Sequence, residues 1–249
     1  MKKIPMLRIL ATGSFVLMIT VNILANALPI NGLTTGAVSD KYPSLFTPAG
    51  ITFSIWGIIY LFLLTFVIYM WIGKPERNIQ TLLGRFILSC ILNAAWIVAW
   101  HFLLPEVSVI IMFGLLITLA GLFQRVLHFQ NQRLTRFVVV LPFTIYFAWI
   151  CVATIANVSA LLVAWDWDER WMAAEVWTII MMTVAATLGL VIALRFHVVE
   201  FTAVVSWALL GIFIRWQDSA YPLIPVIAAS LVAFILAVTA WKTIQRARA

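Results

Sequence analysis

Long apolar segments dominate this chain and restrict it to one structural class. Runs of roughly 20 residues, enough to cross about 30 Å of hydrocarbon, recur eight times along the 249 residues. Because 64% of the residues are hydrophobic and 10% are charged, an ordinary water-soluble domain is excluded. We therefore predict an all-α, polytopic transmembrane helical bundle. The predicted helices span residues 7–28, 49–72, 79–103, 107–129, 137–163, 172–194, 201–214 and 221–241.

Basic residues are distributed unequally between the two faces of this eight-helix topology. Thirteen of the 16 Lys and Arg residues fall on the face that holds the N-terminus, and only Lys41, Arg170 and Arg215 fall opposite. Positively charged loops mark the cytoplasmic side, so we predict a protein of the cytoplasmic (inner) membrane with both termini in the cytoplasm. The distribution also accounts for the net charge of +7 without a nucleic-acid partner. The unequal distribution depends on the seventh and shortest helix. Without that crossing, the basic residues at the C-terminal end would lie on the opposite face.

The longest predicted connection covers residues 29–48, between the first two helices. Its glycine, proline, threonine and serine residues are typical of an irregular loop, which serves either as a lid over a binding site or as a plain connector. Farther along, Asp166 or Asp168 is expected to cap the sixth helix. The chain then divides into five helices, residues 1–165, followed by three, residues 166–249.

Three tryptophans lie inside apolar runs, although tryptophan in membrane proteins favours the water boundary. Counting 1.5 Å per residue places Trp56, Trp96 and Trp149 together in the outer half of the bundle. Asn93 and Asn157 share this depth. Because an amide cannot face lipid cheaply, both should point inward with the neighbouring indoles. We predict a cavity there, beneath the first loop.

Helical spacing adds further side chains to this predicted cavity. Asn93, Trp96 and Trp100 lie on one face of the third helix, and Trp56 and Tyr60 are one turn apart. The alternative for each residue alone is structural, since a buried asparagine often only bonds a neighbouring helix and an interior tryptophan fills volume. Their convergence favours the cavity. The candidate ligand-binding residues are Trp56, Tyr60, Asn93, Trp96, Trp100, Trp149, Thr154, Asn157 and Pro48, and no metal site is expected.

Three motifs resemble the TspO/MBR family, which includes the translocator protein and the tryptophan-rich sensory protein. Residues 48–60, PAGITFSIWGIIY, resemble its second-helix signature, residues 92–96, LNAAW, its third-helix motif, and residues 148–157, AWICVATIAN, its fifth-helix motif. The resemblance implies that residues 1–165 form a five-helix domain of this family, and that residues 166–249 are a three-helix extension.

The same resemblance implies a ligand class. Family members bind tetrapyrroles, sterols or related flat hydrophobic molecules under a mobile first loop, and none of these is a required cofactor. Trp56 and Trp149 match the two tryptophans that line the family pocket and are implicated in porphyrin degradation, so they are the candidate catalytic residues if the protein is an enzyme. Porphyrin carboxylates would be met at the outer mouth, where His101 and Lys41 are candidate partners.

These features favour a receptor or sensor that binds a flat hydrophobic ligand within a lipid membrane. An uncoupled transporter is one alternative, because no ionisable side chain lies near a helix midpoint, where ion-coupled carriers usually keep one. A tryptophan-dependent porphyrin-degrading enzyme is another; no nucleophile–base pair or metal set indicates hydrolytic chemistry. A homodimer is possible through the small-residue face of Ala153, Ala156 and Ala160.

Overall fold

Eight long helices form the framework of the part of the chain that the structure describes. The computed structural model describes residues 3–28, 30–72, 79–167 and 172–248, and these residues contain helices, turns and coil but no strand. The all-α prediction is confirmed, and each long helix corresponds to one predicted apolar run. They are α1 (Lys3–Ala27), α2 (Ile55–Ile72), α3 (Gln80–His101), α4 (Pro105–Val126), α5 (Leu141–Ala164), α6 (Ala174–Phe196), α7 (Glu200–Trp216) and α8 (Leu223–Arg248).

Seven helical segments of the described residues are long and apolar enough to cross a membrane, which confirms a multi-pass membrane protein. The remaining long helix, α7, has 17 residues and is about 25 Å long at 1.5 Å per residue. It packs against both α6 and α8, which also pack against each other. Because short connections join all three, α7 runs antiparallel to its neighbours. The orientation stays a prediction, and four of its basic residues, Lys2, Lys74, Arg77 and Arg170, lie outside the described residues.

Helix geometry varies at the ends of two spans. A 3-10 turn, Gly50–Ser54, leads directly into α2. A short helix, Arg133–Thr135, and a π-helical turn, Arg136–Val140, precede α5, so this apolar span runs without interruption from Arg133 to Ala164. The π turn widens the helix by one residue, and it does so before the tryptophan-bearing part of α5 begins.

The chain forms two compact units. The first contains residues 1–41 and 56–150, and the second contains residues 42–55 and 151–249. In the first unit, α1 and α4 both pack against α3. The ring of Phe66 meets Phe86 and Phe143 edge-on, with centroids 5.2 Å and 4.9 Å apart. Since all three rings are buried, these contacts fix α2, α3 and the start of α5 at one depth.

The second unit has close helix contacts made possible by glycine. A Cβ placed on Gly189 of α6 would lie 3.0 Å from a methyl group of Val205 on α7, so the two helices approach closely at this position. The same unit includes residues 42–55, in which the amide of Ala49 donates to the carbonyl of Gly211 on α7 at 2.9 Å. The division at residues 165 and 166 stays a prediction, since the compact units interleave along the chain.

Asp166 does not cap α6, so the prediction is wrong for this residue. That helix begins at Ala174 without a side-chain cap, whereas Asp166 follows the end of α5 with a φ of 47°. The amide of Trp167 donates to the carbonyl of Leu162 at 3.0 Å, and the amide of Asp166 donates to Val163 at 3.1 Å. This is a Schellman motif, in which aspartate tolerates the left-handed position. Asp168 lies outside the described residues.

The first loop is more regular than predicted. It contains a 3-10 turn, Ile30–Gly32, and a short α-helix, Thr35–Asp40. The hydroxyl of Thr34 accepts a hydrogen bond from the Ala37 amide at 3.3 Å, which is a standard N-cap and explains why the helix begins at Thr35. The prediction of an irregular loop is therefore wrong over residues 35–40, and Pro29, at its start, lies outside the described residues.

Candidate functional site

Four aromatic rings surround the indole of Trp56 in the first unit. Its centroid lies 5.7 Å from Tyr60, 6.1 Å from Trp96, 6.1 Å from Tyr146 and 6.2 Å from Trp149. The Tyr60 ring is stacked on the indole at 23°, and the Tyr146 and Trp149 rings meet it edge-on. We call these five side chains the Trp56 cluster. They come from three helices, so the cluster exists only once α2, α3 and α5 have packed.

Each helix supplies its rings through ordinary helical spacing. On α2, Trp56 and Tyr60 are one turn apart, and on α3 the rings of Trp96 and Trp100 stack at 16° with centroids 6.1 Å apart. Residues four apart share one face of a helix. Trp100 thereby extends the line of aromatic rings from Trp56 through Trp96 toward the end of α3.

Asn93 forms hydrogen bonds to two other helices of the first unit. Its Oδ1 accepts from Nδ2 of Asn22 on α1 at 2.8 Å, and its Nδ2 donates to the hydroxyl of Tyr146 on α5 at 2.9 Å. Asn93 and Tyr146 have no exposed surface. The amide therefore holds the tyrosine whose ring meets Trp56, and its effect on the cluster passes through Tyr146.

The hydroxyl of Tyr60 is buried and has no hydrogen-bond partner among the described residues. A buried polar atom left without a partner costs about 1–3 kcal/mol, and most such atoms in proteins are satisfied. Its ring is stacked on Trp56, so the unsatisfied oxygen belongs to the aromatic cluster itself. This oxygen offers a hydrogen-bonding group to a molecule that reaches these rings.

Three predicted site residues, Pro48, Thr154 and Asn157, belong to the second unit. All three are buried. The segment that follows Pro48 packs on α7, where Nε1 of Trp207 donates to the carbonyl of Thr52 at 3.0 Å. The structure brings the other six predicted residues together in the first unit, as the rings around Trp56, the stacked Trp100 and the hydrogen-bonded Asn93.

His101 is a buried residue at the end of α3. Its Nδ1 donates to the carbonyl of Ile97 at 2.8 Å, and its Nε2 lies 3.5 Å from the hydroxyl of Thr35. Its carbonyl accepts from Nδ2 of Asn31 at 3.2 Å. His101 has no exposed surface, and these contacts fasten the first half of the loop to the end of α3. The role of His101 toward ligand carboxylates stays a prediction.

Two residues of this site were missed by the sequence analysis. Tyr146 lies three residues before Trp149, so the helical spacing that linked Trp96 to Asn93 would also have found it. Asn22 is an amide within the first apolar run, and the argument that turned Asn93 inward applies to it equally. Sequence alone did not indicate that the two amides pair, because that depends on how α1 is rotated against α3.

Comparison with known proteins gives one match. A family model described as TSPO-like protein matches residues 8–241. The match includes the three C-terminal helices as well as the segment that carries the three tryptophan motifs. Searches of curated proteins and of solved structures found no match.

Proposed function

Since the chain belongs to the TSPO-like protein family, we propose that it is a membrane receptor for a flat hydrophobic ligand of the tetrapyrrole or sterol class, bound at the Trp56 cluster. The cluster supplies what such a ligand needs. Indole and phenol rings offer flat, polarisable faces to a planar molecule. Binding sites of this kind are mostly apolar and contain a few polar groups that fix orientation.

The observation that carries the proposal is the unsatisfied Tyr60 hydroxyl within an aromatic cluster. A ring assembly that only filled volume would gain nothing from a buried hydroxyl without a partner. A ligand with a carbonyl, pyrrole N–H or hydroxyl group at its edge would satisfy this atom while its flat face meets Trp56 or Trp149. Recognition therefore combines ring contact with one hydrogen bond.

Asn93 has a positioning role in this proposal. Both ends of its amide are engaged by Asn22 and Tyr146, so ligand contact at Asn93 would require breaking a hydrogen bond between helices. We assign it to holding the Tyr146 ring against Trp56. Trp100, stacked on Trp96, extends the aromatic surface toward the end of α3, where the His101–Thr35 contact attaches the first loop.

The proposal includes a membrane location and orientation. The unequal distribution of Lys and Arg supports the cytoplasmic membrane with both termini in the cytoplasm. The ligand then approaches the Trp56 cluster from the outer half of the bundle.

The experiment is a titration of the purified protein with protoporphyrin IX, followed by the fluorescence anisotropy of the porphyrin. This signal does not depend on the number of tryptophans left in a variant. We expect saturable binding that weakens about tenfold in Trp56→Leu and in Trp149→Leu, because each removes an aromatic contact worth roughly 1–1.5 kcal/mol. Trp241→Leu is the matched control, because Trp241 is 56% exposed on α8.

Tyr60→Phe separates ring contact from hydrogen bonding. It keeps the stacked ring and removes the unsatisfied oxygen, so it should stabilise the free protein and weaken porphyrin binding about fivefold, the value of one hydrogen bond near 1 kcal/mol. Unchanged affinity in Trp56→Leu, Trp149→Leu and Tyr60→Phe, with all three folded, would refute the proposed site. Loading proteoliposomes with the porphyrin and measuring its release distinguishes a receptor from an uncoupled transporter.

A further inference from the structure

A cavity lies wholly within the second unit. It has a volume of about 410 Å³ and lies among residues 43–45, the end of α5, the start of α6 and Tyr221. Sites for small organic molecules commonly occupy roughly 300–1,000 Å³, so the space suits a compact ligand. The lining residues that bear on its chemistry are Ser44, Ser159, Asp166, Trp167, Trp177 and Tyr221.

Two indoles of this cavity are held in fixed positions. The rings of Trp167 and Trp177 meet edge-on at 78°, with centroids 5.8 Å apart. Nε1 of Trp177 donates to the hydroxyl oxygen of Ser159 at 3.0 Å, and the backbone of Trp167 is held by the Schellman motif at the end of α5. The two indoles, fixed in this way, form an aromatic corner of the cavity.

Both serine hydroxyls that line the cavity have hydrogen-bond partners. Ser159 donates to the carbonyl of Ile155 at 2.9 Å while it accepts from Trp177. The hydroxyl oxygen of Ser44 accepts from the amide of Phe46 at 3.1 Å. Beside these serines the lining contains three aromatic side chains, Trp167, Trp177 and Tyr221.

Among the lining residues that the structure describes, Asp166 is the only one with a charged side chain. It is exposed at the end of α5. Arg215, a basic residue close to Tyr221 in the sequence, lies over the ring of Trp216. Its Cζ is 5.7 Å from the ring centroid. The described lining thus combines three aromatic side chains with one acidic side chain.

We propose that this cavity binds a quaternary ammonium group, with the rings of Trp167, Trp177 and Tyr221 around its methyl groups and Asp166 as its counter-charge. Aromatic rings attract such cations through their electron-rich faces. A quaternary ammonium ion has no N–H to donate, so it needs no hydrogen-bond acceptor from the two lining serines, which are already engaged. The site is separate from the proposed tetrapyrrole site and uses none of its residues. The group is carried by a soluble organic cation or by the choline headgroup of a phospholipid.

The first test uses choline and its neutral isostere, 3,3-dimethylbutanol, with the full-length protein in a maltoside detergent that carries no choline group. Isothermal titration should give a dissociation constant for choline at least tenfold lower than for the isostere. Asp166→Asn should weaken choline binding about threefold to fivefold, as expected for a solvent-exposed charge. Trp177→Leu should weaken it about tenfold.

Asp218→Asn is the matched control, because Asp218 is an exposed acid of the second unit that does not line the cavity. Its choline affinity should equal that of the wild type. Equal affinity for choline and the isostere, or choline binding that is undetectable in the wild type, would overturn the proposal. An Asp166→Asn variant that binds choline as tightly as the wild type does would also overturn the proposal. Because Asp166 is exposed and its replacement leaves the core untouched, this result is interpretable even if Trp177→Leu fails to fold.

The source of the ammonium group is distinguished in nanodiscs. With phosphatidylglycerol as the sole lipid, soluble choline should bind as it does in detergent. Replacing half of the lipid with phosphatidylcholine weakens the apparent choline affinity if lipid headgroups enter the cavity, and leaves it unchanged if only soluble cations do. Either result supports the ammonium site and assigns its occupant. Absence of choline binding in both nanodiscs contradicts it.

Discussion

Asn22 of α1 donates a hydrogen bond from Nδ2 to Oδ1 of Asn93 on α3 at 2.8 Å, and the opposite end of the Asn93 amide donates to Tyr146 on α5. One carboxamide thus joins three helices through atoms that would otherwise lie unsatisfied in a hydrocarbon environment. Because the Tyr146 ring meets Trp56 edge-on, the position of the aromatic cluster depends on this amide.

Replacement of Asn93 by leucine should destabilise the first unit by roughly 1–2 kcal/mol, since it leaves Asn22 and the Tyr146 hydroxyl without their partner. Unfolding in a denaturing detergent, followed by circular dichroism, measures the change. The double variant Asn22→Leu/Asn93→Leu should lose less than the sum of the single variants. Thr118→Val serves as the control, because Thr118 donates within its own helix, to Gly114. Additive effects at Asn22 and Asn93 would contradict the coupling.

Gly211→Ala should destabilise the second unit. A Cβ at Gly211 would collide with the Thr52 hydroxyl and lie 2.9 Å from Cβ of Pro48, and overpacking of this kind costs about 1–3 kcal/mol. Thermal unfolding in detergent measures the loss. Adding Thr52→Ala should restore part of it, because this change removes the colliding oxygen, which is itself buried without a partner among the described residues.

The control for Gly211 is Gly57→Ala, where a new Cβ would have no neighbour within 4 Å. Alanine has the higher helix propensity, so this variant should unfold at the wild-type temperature or slightly above it. If both glycine variants unfold alike, the close packing of residues 48–52 against α7 is wrong.

His101→Ala should loosen the helix at Thr35–Asp40. The variant loses the contact between the His101 ring and Thr35 but keeps the bond from Asn31 to the backbone carbonyl of residue 101. Loss of one hydrogen bond near 1.4 kcal/mol shifts an opening equilibrium about tenfold. A reporter cysteine at Val38, which is fully buried, should react with a maleimide about tenfold faster in this background. Thr35→Val, which removes only the hydroxyl, should have a smaller effect in the same direction.

His128→Ala is the matched histidine control, because His128 is exposed and contacts the carbonyl of Arg125. In His128→Ala, the reporter cysteine at position 38 should react with the maleimide as fast as it does in the parent protein. A rate that is unchanged in both His101→Ala and Thr35→Val would show that the loop is held by other contacts.

The number of crossings predicts where the termini lie. If α7 crosses the membrane as the eighth helix, reporters fused to the N-terminus and to the C-terminus should both be active in the cytoplasm. A fluorescent protein that matures only in the cytoplasm and a phosphatase that is active only outside it give opposite signals. Opposite locations for the two termini would mean that α7 does not span the bilayer.

Helix number and position followed closely from the sequence. The run predicted at 201–214 is the helix Glu200–Trp216, and the run at 79–103 contains Gln80–His101. These agreements have a local cause, because hydropathy and backbone hydrogen bonding in a membrane are satisfied within each helix. The stacking of Trp96 on Trp100 is local in the same sense. The candidate ligand site itself stays a prediction, although six of its nine residues come together in one unit.

Contacts between helices could not be predicted from the sequence in the same way. Sequence alone determined an all-helical membrane protein, its apolar spans and the motifs of its family. Only the tertiary structure paired Asn93 with Asn22 and Tyr146, buried His101 against the loop and left the Tyr60 hydroxyl unsatisfied. The physical reason is that helical periodicity fixes which side chains share a face, whereas the rotation and axial offset of each helix, set by packing against its neighbours, determine which faces meet.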